Sequence, residues 1–390
     1  MERRTLLTTS SMGILGLGLS ACFRGSEPWV SPHKLLPPLN VSWDRVIRTT
    51  VGLRPYRPSG FVLRAERFDG KTLIHNYGHG GSGMSLSWGT GSIAADLALE
   101  SEFREVAVVG CGVAGLTTAR QLQRRGFNAK IYAASVPPDT TSNMSLAAWT
   151  PTSGLVEDEL RTSTWDIQFR QAARIAYDQL QLLAGSKYGV SWIDTYSLSN
   201  TVPRERSTQE DEDRLLPSDL RLPRVSLGPG EHAFPTRYAS QRPTLRIEPA
   251  IYLDALVRDF IRFGGEIVIR KFDGRRDLIT LDEPIIINCT GLGSYDLFGD
   301  TELVPLKGQL TILVPQAEVE YGTFGGLPGT DGFIHMQPRS DGVALGGTSE
   351  EGNWSLEQNE DARKRIVESH HALFAMMGGS LKLGPEISLV

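Results

Sequence analysis

A strand, a glycine-rich turn and a helix follow one another from residue 106 to residue 126, and this unit constrains the fold more than any other part of the sequence. The run VAVV at residues 106–109 is typical of a buried strand, and GCGVAG at residues 110–115 forms the turn. Residues 116–125 predict a helix that ends at Gly126, and residues 129–133 predict a second strand. The sequence therefore predicts a parallel α/β sheet with a dinucleotide-binding turn.

Each glycine of this turn has its own physical role. Gly110 permits the tight turn, Gly112 lets a pyrophosphate approach the backbone, and Gly115 lets the helix pack closely on the strand. Val113 and Ala114 lie at the N-terminus of the helix, where free N–H groups and the helix dipole favour anions. These five residues are therefore candidate cofactor contacts.

The second strand lacks the acidic residue that often binds the ribose of a dinucleotide. That residue is expected roughly 20 positions after the turn. The strand ends at Ala133-Ala134-Ser135, and the nearest acid, Asp139, lies beyond two prolines. This absence weighs against a nicotinamide cofactor, whereas a flavin, which is held by many other contacts, tolerates it better.

Composition excludes several classes of function. The chain has 390 residues, with 40 Lys and Arg against 45 Asp and Glu, and its net charge is −5 at pH 7. This balance gives no reason to expect a nucleic-acid partner. Three cysteines rule out a disulfide scaffold, and their spacing does not fit a metal site. The length is sufficient for two domains.

Residues 1–21 have the anatomy of a signal peptide. Arg3 and Arg4 precede a short apolar segment, an order that resembles a twin-arginine signal. The sequence LSAC at residues 19–22 resembles a bacterial lipobox and predicts lipidation of Cys22. Residues 22–40 contain several Ser, Gly and Pro and predict a linker. We therefore expect an exported protein, periplasmic or anchored to the membrane through Cys22, with an ordinary cleaved signal as the alternative.

The remaining elements follow from periodicity and turn residues. Strands are predicted at residues 62–64, 72–75, 266–269 and 284–287, and helices at 92–101, 160–183, 251–263 and 357–374. Ser92 is the predicted N-cap of the helix at 92–101. Residues 201–244 contain many Pro and charged residues with little periodicity, and they predict a loop-rich surface segment.

Further motifs lie on both sides of the glycine turn. After it come TTS at residues 140–142, AAWTP at 147–151, INCTG at 287–291 and GGTSEEGNW at 346–354. Before it come GLRPYRP at 52–58 and the highly specific string HNYGHGGSG at 75–83. Together these motifs resemble the D-amino acid oxidase family of FAD-dependent enzymes over nearly all of residues 41–377. The family's closing motifs stand before the turn here, so the resemblance is to a circularly permuted order.

The resemblance implies an α/β fold in which a Rossmann-like FAD-binding domain is interleaved with an α+β substrate domain dominated by a mixed or antiparallel sheet. It assigns residues 41–105 to the permuted C-terminal segment, 106–155 to the dinucleotide-binding βαβ unit, and 156–390 to the substrate domain with returning strands of the FAD domain. The permutation is physically credible, because a crossover helix ends near the edge at which parallel strands begin.

The resemblance also implies roles for site residues. Arg54 matches the arginine that binds the substrate carboxylate, the carbonyl of Gly81 would accept from the substrate amine, and His335 takes the position of a carboxylate-binding tyrosine. We expect His335 to donate a hydrogen bond to the carboxylate, more strongly when protonated. The family's second, lid-borne tyrosine has no counterpart in residues 322–332. Besides the turn residues, the implied FAD contacts are Thr140, Thr141, Ser142, Ala147, Ala148, Gly80, Gly81, Ser82, Gly83, Met84 and Ser85.

Structural roles remain open beside these functional ones. Arg54 would otherwise form a structural ion pair, and His335 would be a satisfied residue at a strand end. His79 is predicted to be structural rather than catalytic, and Cys111 and Cys289 are predicted to be small packing residues.

The implied activity is oxidation of a D-amino acid to an imino acid, by hydride transfer from the α-carbon to flavin N5. Hydrolysis then gives a 2-oxo acid and ammonia, and oxygen or another acceptor takes the electrons, with hydrogen peroxide formed from oxygen. A neutral or apolar substrate side chain is expected, because no second arginine is identified for a side-chain carboxylate. Two alternatives stay open: a membrane-tethered dehydrogenase that reduces a quinone or another carrier, and a non-catalytic flavin-binding protein.

Overall fold

Two β-sheets and the helices packed on them make up the part of the chain that the computed structural model describes, residues 36–202, 214–326 and 332–378. The strands are β1 (Val46–Tyr56), β2 (Val62–Phe68), β3 (Lys71–Tyr77), β4 (Glu105–Val109), β5 (Asn128–Ala133), β6 (Val190–Ser199), β7 (Val225–Leu227), β8 (Tyr238–Ile247), β9 (Glu266–Ile269), β10 (Ile285–Asn288), β11 (Val304–Leu313), β12 (Tyr321–Phe324), β13 (His335–Arg339), β14 (Gly342–Gly346) and β15 (Glu350–Glu351). The helices are α1 (Gly83–Ala98), α2 (Val113–Arg124), α3 (Ser163–Leu182), α4 (Pro249–Arg262), α5 (Gly293–Phe298) and α6 (Glu360–Gly378).

The smaller sheet has the strand order β2-β3-β10-β4-β5-β9. Its strands are parallel, except that β2 pairs with β3 in the antiparallel sense. In the central strand β10, Ile285, Ile286 and Ile287 have no exposed surface. A β-branched run of this kind forms a strand that is buried on both faces. The predicted strand–turn–helix–strand unit is confirmed as β4, α2 and β5.

Helix α1 is longer than the sequence predicts. It begins at Gly83, so Ser92 lies within the helix and is not its N-cap. The small residues of this segment indicate a loop by composition, but they serve helix packing. A Cβ atom on Gly89 would lie 1.8 Å from the carbonyl oxygen of Ala172 in α3, and one on Gly91 would lie 3.0 Å from the Cα of Thr118 in α2. Glycine therefore lets three helices approach one another closely.

The larger sheet has the order β1-β11-β14-β13-β12-β6-β8-β7, and β15 pairs with β11 at the side. All its pairs are antiparallel except β6 with β12. The predicted combination of a parallel dinucleotide sheet with a mixed, mainly antiparallel sheet is thus confirmed.

Strand β8 corrects the prediction of a loop over residues 201–244. It begins at Tyr238 and pairs with β6 along its whole length, from Ser199 opposite Tyr238 to Val190 opposite Ile247. The interruption Arg242-Pro243 hides the strand in the sequence, because proline and charge both lower strand propensity. Long-range pairing overrides that local signal.

The order of elements along the chain fits a short connection between residues 41–98, which carry the permuted segment, and the glycine-turn unit that begins with β4. Helix α1 ends at Ala98 and β4 begins at Glu105, in the same sheet as β3, which precedes α1. The last helix, α6, packs on the first described residues: His371 Nδ1 lies 2.9 Å from the carbonyl oxygen of Val41, and the guanidinium of Arg363 lies 5.3 Å from the Trp43 ring centroid. The beginning and the end of the described chain are therefore neighbours.

The predicted signal peptide and Cys22 lie outside the described residues, as does most of the linker. Across the ranges that are described, no helix is both long and apolar enough to cross a bilayer.

Candidate active site

A cavity of about 1550 Å³ lies between the glycine turn of the smaller sheet and one face of the larger sheet. This volume exceeds the roughly 300–1,000 Å³ of an ordinary small-molecule site. Within the described residues its wall carries eight basic side chains and two acidic ones, Asp158 and Asp296. The basic residues are Arg54, Arg161, Arg214, Arg221, Arg224, Arg242, Arg270 and Lys271. The cavity is therefore suited to a large anionic ligand together with a smaller one.

The glycine turn at one end of the cavity has the geometry that its sequence predicts. Gly110 has φ +112°, and a Cβ atom there would lie 2.4 Å from the carbonyl oxygen of Cys289. A Cβ on Gly115 would lie 1.9 Å from the carbonyl oxygen of Gly110, which confirms its role in close packing. Gly112, Val113 and Ala114 line the cavity at the start of α2. The positive end of a helix dipole thus meets the cavity where phosphates are expected.

The segment at residues 140–142 lies beside this turn. Thr140, Thr141 and Ser142 all line the cavity, and the Val113 N–H donates to Ser142 Oγ at 3.0 Å. Ser142 therefore satisfies one N–H group of the helix terminus, which is a structural capping role. Its contact with a cofactor stays a prediction.

The end of β5 confirms the missing carboxylate. Ala133, Ala134 and Ser135 line the cavity there, and the basic residues Arg270 and Lys271 line it from the end of the adjacent strand β9. Neither of the two acidic residues of the wall belongs to this strand end. A ribose at this end has no acidic partner among the described lining residues.

The second glycine cluster, at residues 78–83, packs against the backbone of residues 150–154 as well as facing the cavity. A Cβ on Gly80 would lie 1.8 Å from the carbonyl oxygen of Gly154, and the Gly81 N–H donates to that oxygen at 3.1 Å. Ser82 Oγ donates to the Thr150 and Ser153 carbonyls at 3.2 and 3.1 Å. The glycines are thus required in the first place by close backbone packing.

The predicted cofactor contacts divide into two groups. Gly80, Gly81, Gly83 and Met84 line the cavity, whereas Ser82, Ser85, Ala147, Ala148 and Gly115 are not part of its wall. Ser85 Oγ accepts the Thr150 N–H at 2.8 Å, and Ala148 forms an isolated bridge with Arg246. The second group holds the loops of the site in place, and direct cofactor contact for these residues stays a prediction.

Arg54 reaches the cavity from β1. Its Nε donates to the Leu306 carbonyl at 3.0 Å, and its Nη2 donates to Ser349 Oγ at 3.1 Å and to the Thr348 carbonyl at 3.4 Å. No carboxylate of the described structure pairs with it, so the structural ion pair that was the alternative for Arg54 is not observed. Burial lowers the pKa of Arg54. A partly buried cation without a counter-ion is stabilised when an anion joins it.

His335 lies at the start of β13, opposite Phe324 of β12 and Gly346 of β14. It lines the cavity, and its Nδ1 is buried without a hydrogen-bond partner. Burial, together with His370 and Arg54, lowers the pKa of His335 to about 3. The low pKa favours a neutral ring over the ordinary range of pH and so weighs against the expectation that protonation strengthens its bond to a carboxylate.

The apolar part of the wall includes Phe324 and Phe333, whose ring centroids are 6.3 Å apart. Phe324 lies within residues 322–332, the segment in which no lid-borne tyrosine was identified, and Phe333 directly follows that segment. Phe333 is 56% exposed, so this side of the cavity presents an aromatic surface without a hydroxyl group.

His79, Cys111 and Cys289 have the structural character that the sequence predicts. His79 Nε2 lies 3.1 Å from Thr90 Oγ1, its ring stacks on Phe61, and burial lowers its pKa to about 4. Both cysteines are free and buried, and burial raises the pKa of each thiol to about 12. Such thiols are unreactive packing groups. The described residues contain no group that could hold a metal ion.

The sequence analysis did not identify a hydrogen-bonded group at the cavity, formed by Tyr77, Arg57 and Asp300, or the cavity-lining residue Arg242. Tyr77 lines the cavity and donates to Asp300 Oδ2 at 2.8 Å, and Arg57 Nε donates to the same oxygen at 3.0 Å. Arg242 lines it from β8. Tyr77 and Arg57 stand inside the motifs that carry the resemblance, so their positions were a usable signal, whereas Arg242 stands in a segment predicted as loop.

Comparison with known proteins agrees with this geometry. The profile of the DAO family, described as FAD dependent oxidoreductase, matches residues 33–97 and 105–383. A D-amino-acid oxidase of Rubrobacter xylanophilus is 27% identical over 283 residues, which are 70% of this chain and 78% of that protein. The D-aspartate oxidase of Homo sapiens is 26% identical over 294 residues, 73% of this chain and 80% of its own length. Glycine oxidase from Geobacillus kaustophilus superposes with a TM-score of 0.51 at 17% identity, over 70% of this chain and 79% of its own.

Proposed function

This chain belongs to the DAO family of FAD-dependent oxidoreductases, and on that premise we propose that it oxidises D-amino acids at the α-carbon. The products are a 2-oxo acid, ammonia and, with oxygen as the acceptor, hydrogen peroxide. The relatives named D-amino-acid oxidase and D-aspartate oxidase support an amino acid substrate of D configuration. When bound, FAD supplies the acceptor for the hydride that leaves the α-carbon.

The residues present fit FAD. Gly110 and Gly112 line the cavity without a side chain, and the start of α2 would present N–H groups to the phosphates. Thr140, Thr141 and Ser142 would hold the phosphates, and Gly80, Gly81, Gly83 and Met84 would contact the redox-active end of the cofactor. The face of the larger sheet would then be left to the substrate.

Arg54 is the observation that carries the proposal. Its guanidinium is held by the Leu306 carbonyl and Ser349 Oγ, faces the cavity and has no carboxylate partner in the described structure. A planar guanidinium binds a carboxylate through two parallel charge-assisted bonds and so fixes its orientation. Since oxidation at the α-carbon depends mainly on aiming one C–H bond, a fixed carboxylate is the main contribution required of the protein.

His335 assists Arg54 as a neutral donor. Its buried Nδ1 has no partner in the described structure, and Arg54 is close enough to depress its pKa. A substrate carboxylate between the two side chains satisfies both. The carbonyl of Gly81, which lies on the same cavity wall, accepts from the substrate amine.

The test is product analysis with purified, FAD-loaded protein. With a D-amino acid under oxygen, the 2-oxo acid, ammonia and peroxide should appear in equal amounts, and the L-isomer should give none. Formation of product from the L-isomer alone, or from neither isomer, would contradict the proposal. Equal 2-oxo acid and ammonia that form only after a quinone or a dye is added, without peroxide, would identify a dehydrogenase instead.

We propose in addition that the chain is exported through a twin-arginine signal and anchored through a lipid on Cys22. The proposal is supported by the sequence of residues 1–22 alone. In cells, Cys22→Ala should move the protein from the membrane fraction to the soluble fraction. Replacement of Arg3 and Arg4 by Lys should retain it in the cytoplasm. Unchanged fractionation of both variants would contradict the proposal.

The permuted order of the motifs is also proposed here, and the topology supports it. The blocks that carry β3 and β10 lie side by side in one sheet, and α6 packs on residues 41–43. A chain with a short linker from residue 377 to residue 41, and with new ends between residues 99 and 105, should fold and bind FAD. Failure of that chain to fold, when a linker of twice the length is no better, would count against the permutation.

A further inference from the structure

A second cleft, of about 330 Å³, lies at the end of α2 that is remote from the glycine turn. Among the described residues this basic cleft shares no wall residue with the large cavity, and about 16 Å of helix separate Val113 at the start of α2 from Arg124 at its end. Besides the carboxylate of Asp259, its described wall contains four basic side chains and four apolar or aromatic ones, namely Arg120, Arg124, Lys187, Arg262, Trp88, Leu183, Tyr188 and Phe263. An excess of three positive charges, in a volume at the lower end of the ordinary range for small ligands, indicates a compact anion.

Aromatic rings hold the two arginines of α2 in place. The Cζ atom of Arg120 lies 4.2 Å from the ring centroid of Phe263, and that of Arg124 lies 4.7 Å from the ring centroid of Trp88. The Trp88 ring is itself fixed, because its Nε1 donates to Tyr252 Oη at 2.6 Å. Stacking covers a face of each guanidinium group and leaves the N–H edges to bind acceptors. The two arginines are therefore preorganised donors at the wall of the basic cleft.

The charge of this wall is not balanced from within. None of its three arginines forms an ion pair with a carboxylate of the described structure. Asp259 instead accepts from Tyr188 Oη at 2.5 Å and from Lys187 Nζ at 3.2 Å. Burial lowers the pKa of Arg120, and the neighbouring charge of Arg124 lowers it further, although Asp259 acts in the opposite sense. An added anion would therefore relieve both the burial and the mutual repulsion of these cations.

Helix dipoles account for only part of the charge in the basic cleft. They favour cations in the last turn of a helix, which suits Arg124 at the end of α2 and Arg262 at the end of α4. Two open carbonyls at the end of α4 are already satisfied by Gln123 Nε2, which donates to them at 2.9 and 3.2 Å. Arg120 lies a full turn before the end of α2, and its side chain is only 7% exposed. A ligand accounts for this cation better than a helix terminus does.

We propose that the basic cleft binds a phosphate group, through the N–H edges of Arg120 and Arg124 and the charge of Arg262. Guanidinium edges match the oxygen atoms of a phosphate in pairs, and the negative charge of the phosphate offsets the excess of the wall. Phe263 is 63% exposed, so an apolar surface is available to the rest of the ligand. The headgroup of an anionic phospholipid and a free phosphorylated compound share this chemistry. The site goes beyond the proposed oxidation of amino acids and does not depend on it.

Calorimetry of the FAD-loaded protein with inorganic phosphate, pyrophosphate and glycerol 3-phosphate tests the basic cleft with soluble probes. If the ligand is a free phosphorylated compound, at least one probe should bind, and Arg120→Met and Arg262→Met should each weaken that binding about tenfold or more. Arg120→Lys should retain part of the affinity. Arg258→Met is the matched control and should leave binding unchanged, since Arg258 is exposed on α4 and pairs with Asp254.

Two further variants separate binding at the basic cleft from effects on the fold and on the large cavity. Arg262 is exposed, so the loss expected for Arg262→Met does not depend on disturbed packing of a buried side chain. Arg54→Met removes a cation of the large cavity and should leave phosphate binding within about twofold of the wild type, because the two sites share no residue.

Sedimentation with vesicles distinguishes the two sources of phosphate. Phosphatidylglycerol vesicles present an anionic headgroup, whereas phosphatidylcholine vesicles carry no net charge. If the ligand is a lipid headgroup, the FAD-loaded protein should prefer phosphatidylglycerol, and Arg120→Met and Arg262→Met should each reduce this preference about tenfold or more. If it is a free compound, the two variants should weaken binding of a soluble probe and leave sedimentation with both kinds of vesicle unchanged.

The inference is wrong if neither soluble probes nor phosphatidylglycerol vesicles bind in a way that depends on Arg120 and Arg262. It is equally wrong if Arg258→Met weakens binding as much as Arg120→Met does, because the effect would then reflect the overall charge of the surface.

Discussion

The two sheets of this protein meet the same cavity in different ways. The smaller sheet contributes mainly backbone: a glycine turn with φ +112° at Gly110, the start of α2, and glycines packed on the carbonyls of residues 153 and 154. The larger sheet contributes side chains, namely Arg54 from β1, His335 from β13 and Arg242 from β8. Under the proposed function, cofactor binding depends on a local backbone shape, whereas substrate binding depends on side chains that long-range strand pairing brings together.

The largest effect is expected where the backbone shape is removed. Gly110→Ala forces an L-residue into a positive φ and places its Cβ 2.4 Å from the Cys289 carbonyl. We expect a loss of about 2–4 kcal/mol in the free energy of unfolding, with loss of FAD binding. Gly126→Ala is the matched control, because Gly126 also has a positive φ but no atom within 4 Å of a Cβ. Urea unfolding and a flavin titration measure both effects, and equal losses in the two variants would remove the special role of the turn.

The next effect is expected at Arg54, and it should be confined to the substrate. Arg54→Met should lower kcat/KM by about 3–4 kcal/mol, which is a factor of several hundred, because one charged partner of the carboxylate is lost. FAD affinity should stay within about twofold of the wild type, since the backbone of the smaller sheet is unchanged. A variant that lost FAD as well would show that the two halves of the cavity are not separable. Arg54→Lys should recover part of the activity.

A third effect concerns acid stability, and two of the three histidines responsible, His335 and His370, pack at the larger sheet. Burial lowers the pKa of His79 to about 4, of His335 to about 3 and of His370 to about 4. Below the usual pKa near 6.5 the unfolded chain binds protons that the folded chain does not, so stability is present above that pH and is lost as the pH falls toward 4. Each histidine contributes a slope of about 1.4 kcal/mol per pH unit in that window.

Unfolding curves at several pH values check this slope. The variant His370→Asn should have a shallower dependence than the wild type between pH 6.5 and pH 4, whatever its stability at neutral pH. An unchanged slope would mean that His370 is protonated in the folded state.

The smallest effect is expected for His335→Ala. Loss of one neutral hydrogen bond to the carboxylate should raise KM by about 3–10-fold. Because the ring is neutral throughout, the ratio of the two KM values should stay constant from pH 5.5 to 8. A ratio of variant to wild-type KM that rises toward low pH would indicate a protonated ring. Equal KM values at every pH would show that His335 does not bind the substrate.

The smaller sheet was well predicted from the sequence because its turn and strands are encoded by local residue patterns. The same local patterns form the backbone part of the site. The turn at residues 110–115 encodes its own conformation, and β10 is recognisable from three consecutive isoleucines. Glycine composition misled at α1, because the packing of Gly89 on Ala172 involves residues more than 80 positions apart. Composition also hid β8, whose Arg242-Pro243 interruption is compensated by full pairing with β6.

The candidate substrate residues on the larger sheet were predictable mainly from sequence motifs. Arg54 and His335 were found by resemblance, but their electrostatic state was not. The lowered pKa of His335 results from burial among residues of β12, β14 and α6, which no local pattern specifies. Arg242 belongs to no motif, and only the register of β8 shows that it reaches the cavity.

Anaerobic reduction of the bound flavin tests the central claim most directly, that a D-amino acid oriented by Arg54 reacts with FAD held by the smaller sheet. Wild-type protein mixed with a D-amino acid in the absence of oxygen should lose its flavin absorbance near 450 nm, on the order of several hundred times faster than Arg54→Met. The L-isomer should leave the spectrum unchanged in both proteins. Equal rates for the two proteins, or bleaching by the L-isomer alone, would contradict the account.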